Sequence, residues 1–111
     1  MAAKFKEQNS CLIATIDGEI DHHSAAQLRE SIDLELHKWH IKTLVMDFSR
    51  LSFMDTSGIG LLMGRYKLIS SFGGSMYLCG LSPHLQKIIR LAGLEKMMPI
   101  LDTLDDIASN E

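Results

Sequence analysis

Cysteine, proline and aromatic residues are all scarce in this chain, and each scarcity excludes something. There are two cysteines, Cys11 and Cys79, both inside apolar runs and without metal-ligand spacing. They read as reduced core residues of a cytoplasmic protein, not as a disulfide framework or a zinc site. Proline occurs only at positions 83 and 99, so no proline-rich linker divides the chain. Aromatic residues make up 6%. No run of about 18 apolar residues is present, which excludes a membrane-spanning helix by the usual length criterion. The opening residues Met1 to Lys6 are followed by no apolar block long enough for a signal peptide. Positive charge is short as well. The formal net charge is −3, and a general nucleic-acid binder would want a basic face. What is abundant is material for a core: 46% of the 111 residues are hydrophobic and 23% charged, values that suit one soluble domain spanning residues 1–111.

The apolar pattern switches period along the chain. Residues 11–16, Cys-Leu-Ile-Ala-Thr-Ile, form a short partly β-branched run, with residues 4–8 as a neighbouring edge strand. Asp17-Gly18 is either a reversal or a bulge through which the strand continues to Ile20. From His22 to Trp39 the residues Ala25, Leu28, Ile32, Leu36 and Trp39 share one helical face, with Asp21 or Ser24 as candidate cap. Residues 43–48 have few polar positions and predict an inner strand covered on both faces. Residues 49–54 read as a loop with apolar plugs. A second helix follows, with Ile59, Leu62, Tyr66 and Ile69 on one face and Gly73-Gly74 at its end. A strand over 75–80, a third helix opened by Pro83 with Leu85, Ile88, Ile89 and Leu91 inward and closed by Gly93, a short strand within 97–101 and a terminal helix over 102–110 complete the order. The alternation predicts an α/β fold: a mixed β-sheet of about four to five strands with about four helices packed on it.

The unusual segment is Asp55-Thr56-Ser57-Gly58-Ile59-Gly60. Ser57 stands at the start of a helix, where unpaired N–H groups tolerate an anion. Two readings stand open and are compatible: Ser57 is the N-cap, or it is a phosphoacceptor whose neighbour Gly58, lacking a side chain, lets a partner's active site approach the hydroxyl. Gly60 and Gly64, four apart, predict close backbone packing.

Other constellations are weaker. Asp21-His22-His23 lacks a third metal ligand at sensible spacing. A phosphate cradle lacks both the Walker lysine and GxGxxG. Asp47 suggests an aspartyl phosphoreceiver, but no acidic pair follows the first strand; it reads instead as a hydrogen-bonded residue fixing the next loop. Gly-x-Ser-x-Gly is absent around Ser57. Most methionines read as core fillers, with Met54 and Met97-Met98 as candidates for an adaptable binding surface.

The run Leu51-Ser-Phe-Met-Asp55-Thr-Ser57-Gly-Ile-Gly60 resembles the STAS-domain anti-sigma factor antagonists of bacteria. Gly18-Glu-Ile-Asp21-His-His23, Leu44-Val-Met-Asp47-Phe-Ser49, Gly64-Arg-Tyr-Lys67, Gly73-Gly74 and Leu91-Ala-Gly93-Leu94 extend the likeness over nearly the whole chain. The resemblance implies a STAS-type domain and a switch, not an enzyme, with no cofactor. The unphosphorylated form would bind an anti-sigma factor that is also a serine kinase, releasing the sigma factor. Phosphorylation at Ser57 would end the interaction, and a PP2C-type serine phosphatase would restore it. Asp21, Asp55, Thr56, Ser57 and Gly58 would form the partner-binding surface, with Asp21 orienting the acceptor hydroxyl or contacting the kinase. Thr56 stands where several relatives have a second serine and is an alternative acceptor. A nucleotide-binding STAS module and a structural STAS subunit of a larger regulatory or transport assembly are the rival readings. Neither nucleic acid nor membrane is an expected direct partner.

Overall fold

A computed structural model describes residues 2–102; the terminal helix expected over 102–110 falls almost wholly outside them. Six strands form one mixed sheet: β1 (Ala2–Gln8), β2 (Cys11–Ile20), β3 (Thr43–Asp47), β4 (Leu51–Met54), β5 (Ser75–Cys79) and β6 (Ile100–Leu101). Their order is β1-β2-β3-β5-β6, with β4 pairing β2. Only β1 runs antiparallel to its neighbour, closing on β2 through Asn9 and Ser10, both at positive φ. The parallel steps are spanned by α1 (His22–Lys38), α2 (Thr56–Ser71) and α3 (Pro83–Leu91), and a 3₁₀ turn, Leu94–Lys96, precedes β6. The described residues thus hold more strands than expected and three α-helices.

The alternation of side chains across the pleat explains the core. Leu12, Ala14, Ile16, Leu44, Met46, Met76 and Leu78 face a single large cluster with Leu28, Ile32 and Leu36 of α1 and Leu61, Leu62 and Ile69 of α2. Cys11, Val45, Cys79 and Leu101, out of phase by one residue, form a smaller cluster on the opposite sheet face. All five residues of β3 are buried, as its continuous apolar run predicts.

Several expectations need correction. Residues 51–54 are not a loop: they add a fourth parallel pairing beside Gly18, Glu19 and Ile20. β2 therefore runs through Gly18, which takes φ 107°, and the register shifts there, so the bulge reading of Asp17-Gly18 holds and the reversal does not. Trp39 lies just past α1 and is 44% exposed, its indole N–H donating to Glu35 Oε2. Leu91, at the last turn of α3, is 79% exposed. At 3.6 residues per turn Leu91 falls off the face that buries Leu85 and Ile89, and Trp39 stands past the last helical residue of α1 at φ −110°, so neither continues its stripe. Met54 and Met98 are core residues, 5% and 0% exposed, not surface. Gly60 and Gly64 do not mark close packing, since a Cβ at either position would meet nothing within 4 Å.

Candidate functional site

Strands β2 and β4 end side by side, with Ile20 opposite Met54. Each is followed at once by an aspartate that caps the next helix. Asp21 caps α1: its Oδ1 accepts from the N–H groups of His23 and Ser24, both at 2.9 Å, and the Ser24 hydroxyl accepts from the Asp21 N–H at 3.0 Å. Together the two side chains satisfy three otherwise unpaired N–H donors. The Ser24 hydroxyl also donates to Glu19 O, locking the helix to the end of β2. The Ser24 N–H is the main cause holding the Asp21 carboxyl below its ordinary value of 3.8. Partial desolvation acts the other way, and the Ser24 hydroxyl, the His23 N–H and the His23 ring add to the lowering.

Asp55 caps α2 in the same way. Its Oδ1 accepts from the Ser57 N–H at 2.8 Å, and its own N–H donates to Ile20 O at 3.1 Å. The two caps are thus joined through backbone, one from each paired strand. Ser57 is not the cap. The cap belongs to Asp55, two residues earlier, because the aspartate holds the extended conformation (φ −100°, ψ −169°) from which a carboxylate reaches back over the first turn. Ser57 occupies the second helical position, half-buried, with its hydroxyl released from the capping duty, while Thr56 before it is exposed.

Gly58 departs from its expected role. It is buried and faces inward, and a Cβ there would fall within the envelope of Met54 Cγ and Sδ and 3.5 Å from Ile20 Cγ2. Its missing side chain makes room for the core methionine below rather than for a kinase above. Of the five expected partner-binding residues, Asp21, Asp55, Thr56 and Ser57 come together at one end of the sheet. Gly58 supports that end from inside. Asp21 Oδ1 is committed to its own helix rather than to the Ser57 hydroxyl.

The remaining candidates fall elsewhere. Asp47 fixes the loop after β3 as expected: Oδ1 accepts from the Ser49 N–H at 3.0 Å and Oδ2 from the Thr15 hydroxyl at 3.2 Å. Burial, then the charge of Asp47 and its hydrogen bond, push the Cys79 thiol up to about 12. Among the described residues no group of three or more His, Cys, Asp or Glu side chains could hold a metal ion, His22 and His23 included. No helix among those residues is long and apolar enough to cross a membrane.

One buried charge was not foreseen. Arg65, 7% exposed, points from α2 toward α1, where Nη1 lies 2.8 Å from Asp33 Oδ1 and 3.5 Å from Arg29 O. The Asp33 contact is an ion pair whose angle falls short of a hydrogen bond, and Nε has no partner. Burial lowers the Arg65 pKa, Asp33 works against that, and Arg29 adds to it. The signal in sequence is slight: an arginine within the otherwise apolar stripe Leu61, Leu62, Ile69.

Comparison with known proteins gives a consistent match. The family described as "STAS domain" matches residues 2–107. The anti-sigma F factor antagonist of Paenibacillus polymyxa is 35% identical over 99 residues, 89% of this chain and 85% of that relative. The structure of the anti-sigma factor antagonist SpoIIAA in its unphosphorylated form superposes with a TM-score of 0.84 at 29% identity, covering 97% of this chain and 95% of that one. The phosphorylated form of the Bacillus cell fate determinant SpoIIAA gives 0.77 at 29% identity, with 99% and 100% coverage.

Proposed function

Since the chain belongs to the STAS-domain anti-sigma factor antagonists, a regulatory and non-catalytic family, we propose that it is an anti-anti-sigma factor switched by phosphorylation at Ser57. The unphosphorylated form binds an anti-sigma factor that is also a serine kinase, and so releases a sigma factor of the sporulation type. The kinase modifies Ser57 and loses its grip. A PP2C-type serine phosphatase resets the switch, and the whole cycle runs in the cytoplasm.

The observation that carries this reading is the division of labour at the start of α2. Asp55 holds the helix terminus, so the Ser57 hydroxyl can be modified without costing the helix its cap. A phosphate at the second helical position sits where the first N–H groups of the helix favour negative charge. The fold therefore tolerates it. The partner does not: about 1.5 to 2 added charges beside Asp55, facing a desolvated protein surface, cost repulsion and desolvation together. A loss of about 3 kcal/mol would weaken binding by roughly two orders of magnitude. Asp21, Asp55 and Thr56 frame the hydroxyl as partner-facing residues, and Gly58 holds the framework.

The test is intact mass and partner affinity after incubation with the anti-sigma kinase and ATP. One phosphate is expected on the wild type and on Thr56→Ala, and none on Ser57→Ala. Ser57→Asp should bind the kinase more weakly with unchanged far-UV circular dichroism. Phosphate mapped to Thr56, or Ser57→Asp binding as tightly as wild type, would overturn the assignment.

A further inference from the structure

The register of β4 exposes a side chain that ordinary alternation would bury. Leu51 is buried opposite Gly18, and alternation from it would turn Ser52 outward, Phe53 inward and Met54 outward. Instead the pairing advances two residues on β4 for one on β2: Leu51 lies opposite Gly18, Phe53 opposite Glu19 and Met54 opposite Ile20. Ser52 is the extra residue of this bulge, and its hydroxyl donates to Gly18 O at 3.0 Å, fixing the irregularity in place. The consequence is that Ser52 and Phe53 both face outward, while Met54 goes to the core with Ile20. A bulge re-aims a side chain at a local cost in sheet pairing. Here it holds Phe53 49% exposed, in register with the exposed Glu19.

Resting on the reading of Ser57 as the kinase's acceptor, we propose that Phe53 is the hydrophobic anchor by which the kinase partner grips this protein, its ring entering an apolar pocket of that partner. Proximity supplies the occupant. Four Cα–Cα steps separate residues 53 and 57, so their Cα atoms are at most about 15 Å apart. A standard interface covers about 800 Å² on each partner, a disc of about 16 Å radius. A kinase centred on the Ser57 hydroxyl covers Phe53 as well. Phenylalanine is enriched at interfaces relative to the rest of the surface, and a few such side chains carry most of the affinity. The exposed groups flanking the two caps, Glu19, His22, His23, Ser52 and Thr56, are polar, and among the described residues Phe53 is the exposed large apolar side chain nearest the acceptor in sequence. Phosphate then acts on a contact already anchored four residues away, as a switch should: the anchor supplies affinity and the serine supplies control.

Binding to the purified anti-sigma kinase of the same organism, by titration calorimetry or surface plasmon resonance, tests this with the full chain. Phe53→Ala should weaken binding by about 10- to 100-fold. As a substrate the variant should show KM raised by a similar factor, with kcat for phosphorylation of Ser57 changed no more than a few-fold. Phe53→Leu should recover most of the loss, and Leu91→Ala, equally apolar but at the far end of α3, should behave as wild type. Affinity of Phe53→Ala within two-fold of wild type overturns the anchor while leaving phosphorylation at Ser57 intact. So does a loss that merely follows a fall in the thermal midpoint and is shared by Phe53→Leu. Failure of the wild type to be phosphorylated on Ser57 is a separate result and overturns the underlying reading instead.

Discussion

Replacing Gly58 by alanine adds one methyl group, and the structure says where it goes. The new Cβ would overlap Met54 Cγ and Sδ and touch Ile20 Cγ2 at 3.5 Å. Met54 is 5% exposed and Ile20 0%, so the methionine must leave its rotamer within a packed core rather than swing into solvent. Overpacking of this kind costs about 1–3 kcal/mol. The clash involves the near end of the side chain, not its terminal methyl, which favours the upper part of that range. Alanine recovers about 1 kcal/mol of helix propensity. The net loss is then about 1–2 kcal/mol, a fall in thermal midpoint of about 4–12 °C for a domain of this size. Gly64→Ala is the matched control: the same substitution in the same helix, with nothing within 4 Å, should gain about 0.5–1 kcal/mol. Met54→Ala alone should cost about 2–5 kcal/mol through its cavity. Combined with Gly58→Ala it should cost less than the sum, because the new methyl enters vacated space, with a coupling of about 1–2 kcal/mol. Urea denaturation of the four species closes the cycle. Additivity within about 0.5 kcal/mol, or Gly58→Ala as stable as Gly64→Ala, would refute the packing argument.

The Asp21 carboxyl is held below its ordinary value in the folded state, so its capping contribution is fully present above the unfolded pKa of about 3.8 and is lost as pH falls through the folded pKa. Between pH 5 and pH 2 the wild type should therefore lose more of its urea midpoint than Asp21→Asn, whose amide oxygen caps without titrating; parallel curves would count against this. Asp33→Ala strands a buried guanidinium and should cost about 2–3 kcal/mol, less than a fully buried pair because Asp33 is itself 29% exposed. Arg65→Met, which removes the buried charge, should cost less than Asp33→Ala in the same denaturation assay, and the reverse order would show that packing of the arginine stem dominates. The Cys79 thiol, buried and raised to about 12, should resist a thiol-specific reagent at pH 8 in the folded protein and react freely in denaturant; rapid modification of the native state would contradict its burial.

Much of this domain was legible along the chain because the information was local. The period of 3.6 in Leu28, Ile32 and Leu36 and the continuous run at residues 43–48 marked an interior helix and an interior strand, since each element carries its own burial pattern. A cap at Asp21 or Ser24, Pro83 at the first turn of α3 and the glycines after α2 and α3 follow from backbone chemistry within a few residues; the fold decided for Asp21. The Asp55–Ser57 segment stood out for the same reason, as did the role of Asp47. Tertiary structure decided what depends on a second segment arriving from elsewhere. Residues 51–54 are too short and too irregular in pattern to announce a strand; they become one because the end of β2 offers unpaired backbone groups and Ser52 absorbs the mismatch in step. Whether a glycine in α2 faces a neighbour depends on what lies beneath that turn, and Met54 lies beneath Gly58 while nothing lies against Gly60 or Gly64. Which of Asp55 and Ser57 caps the helix turned on where the helix begins, and the pairing of Met54 with Ile20 sets that point. Arg65 is buried because α1 brings Asp33 to it from 32 residues away. Local periodicity encodes which face of an element is apolar; only the packed fold decides what that face meets.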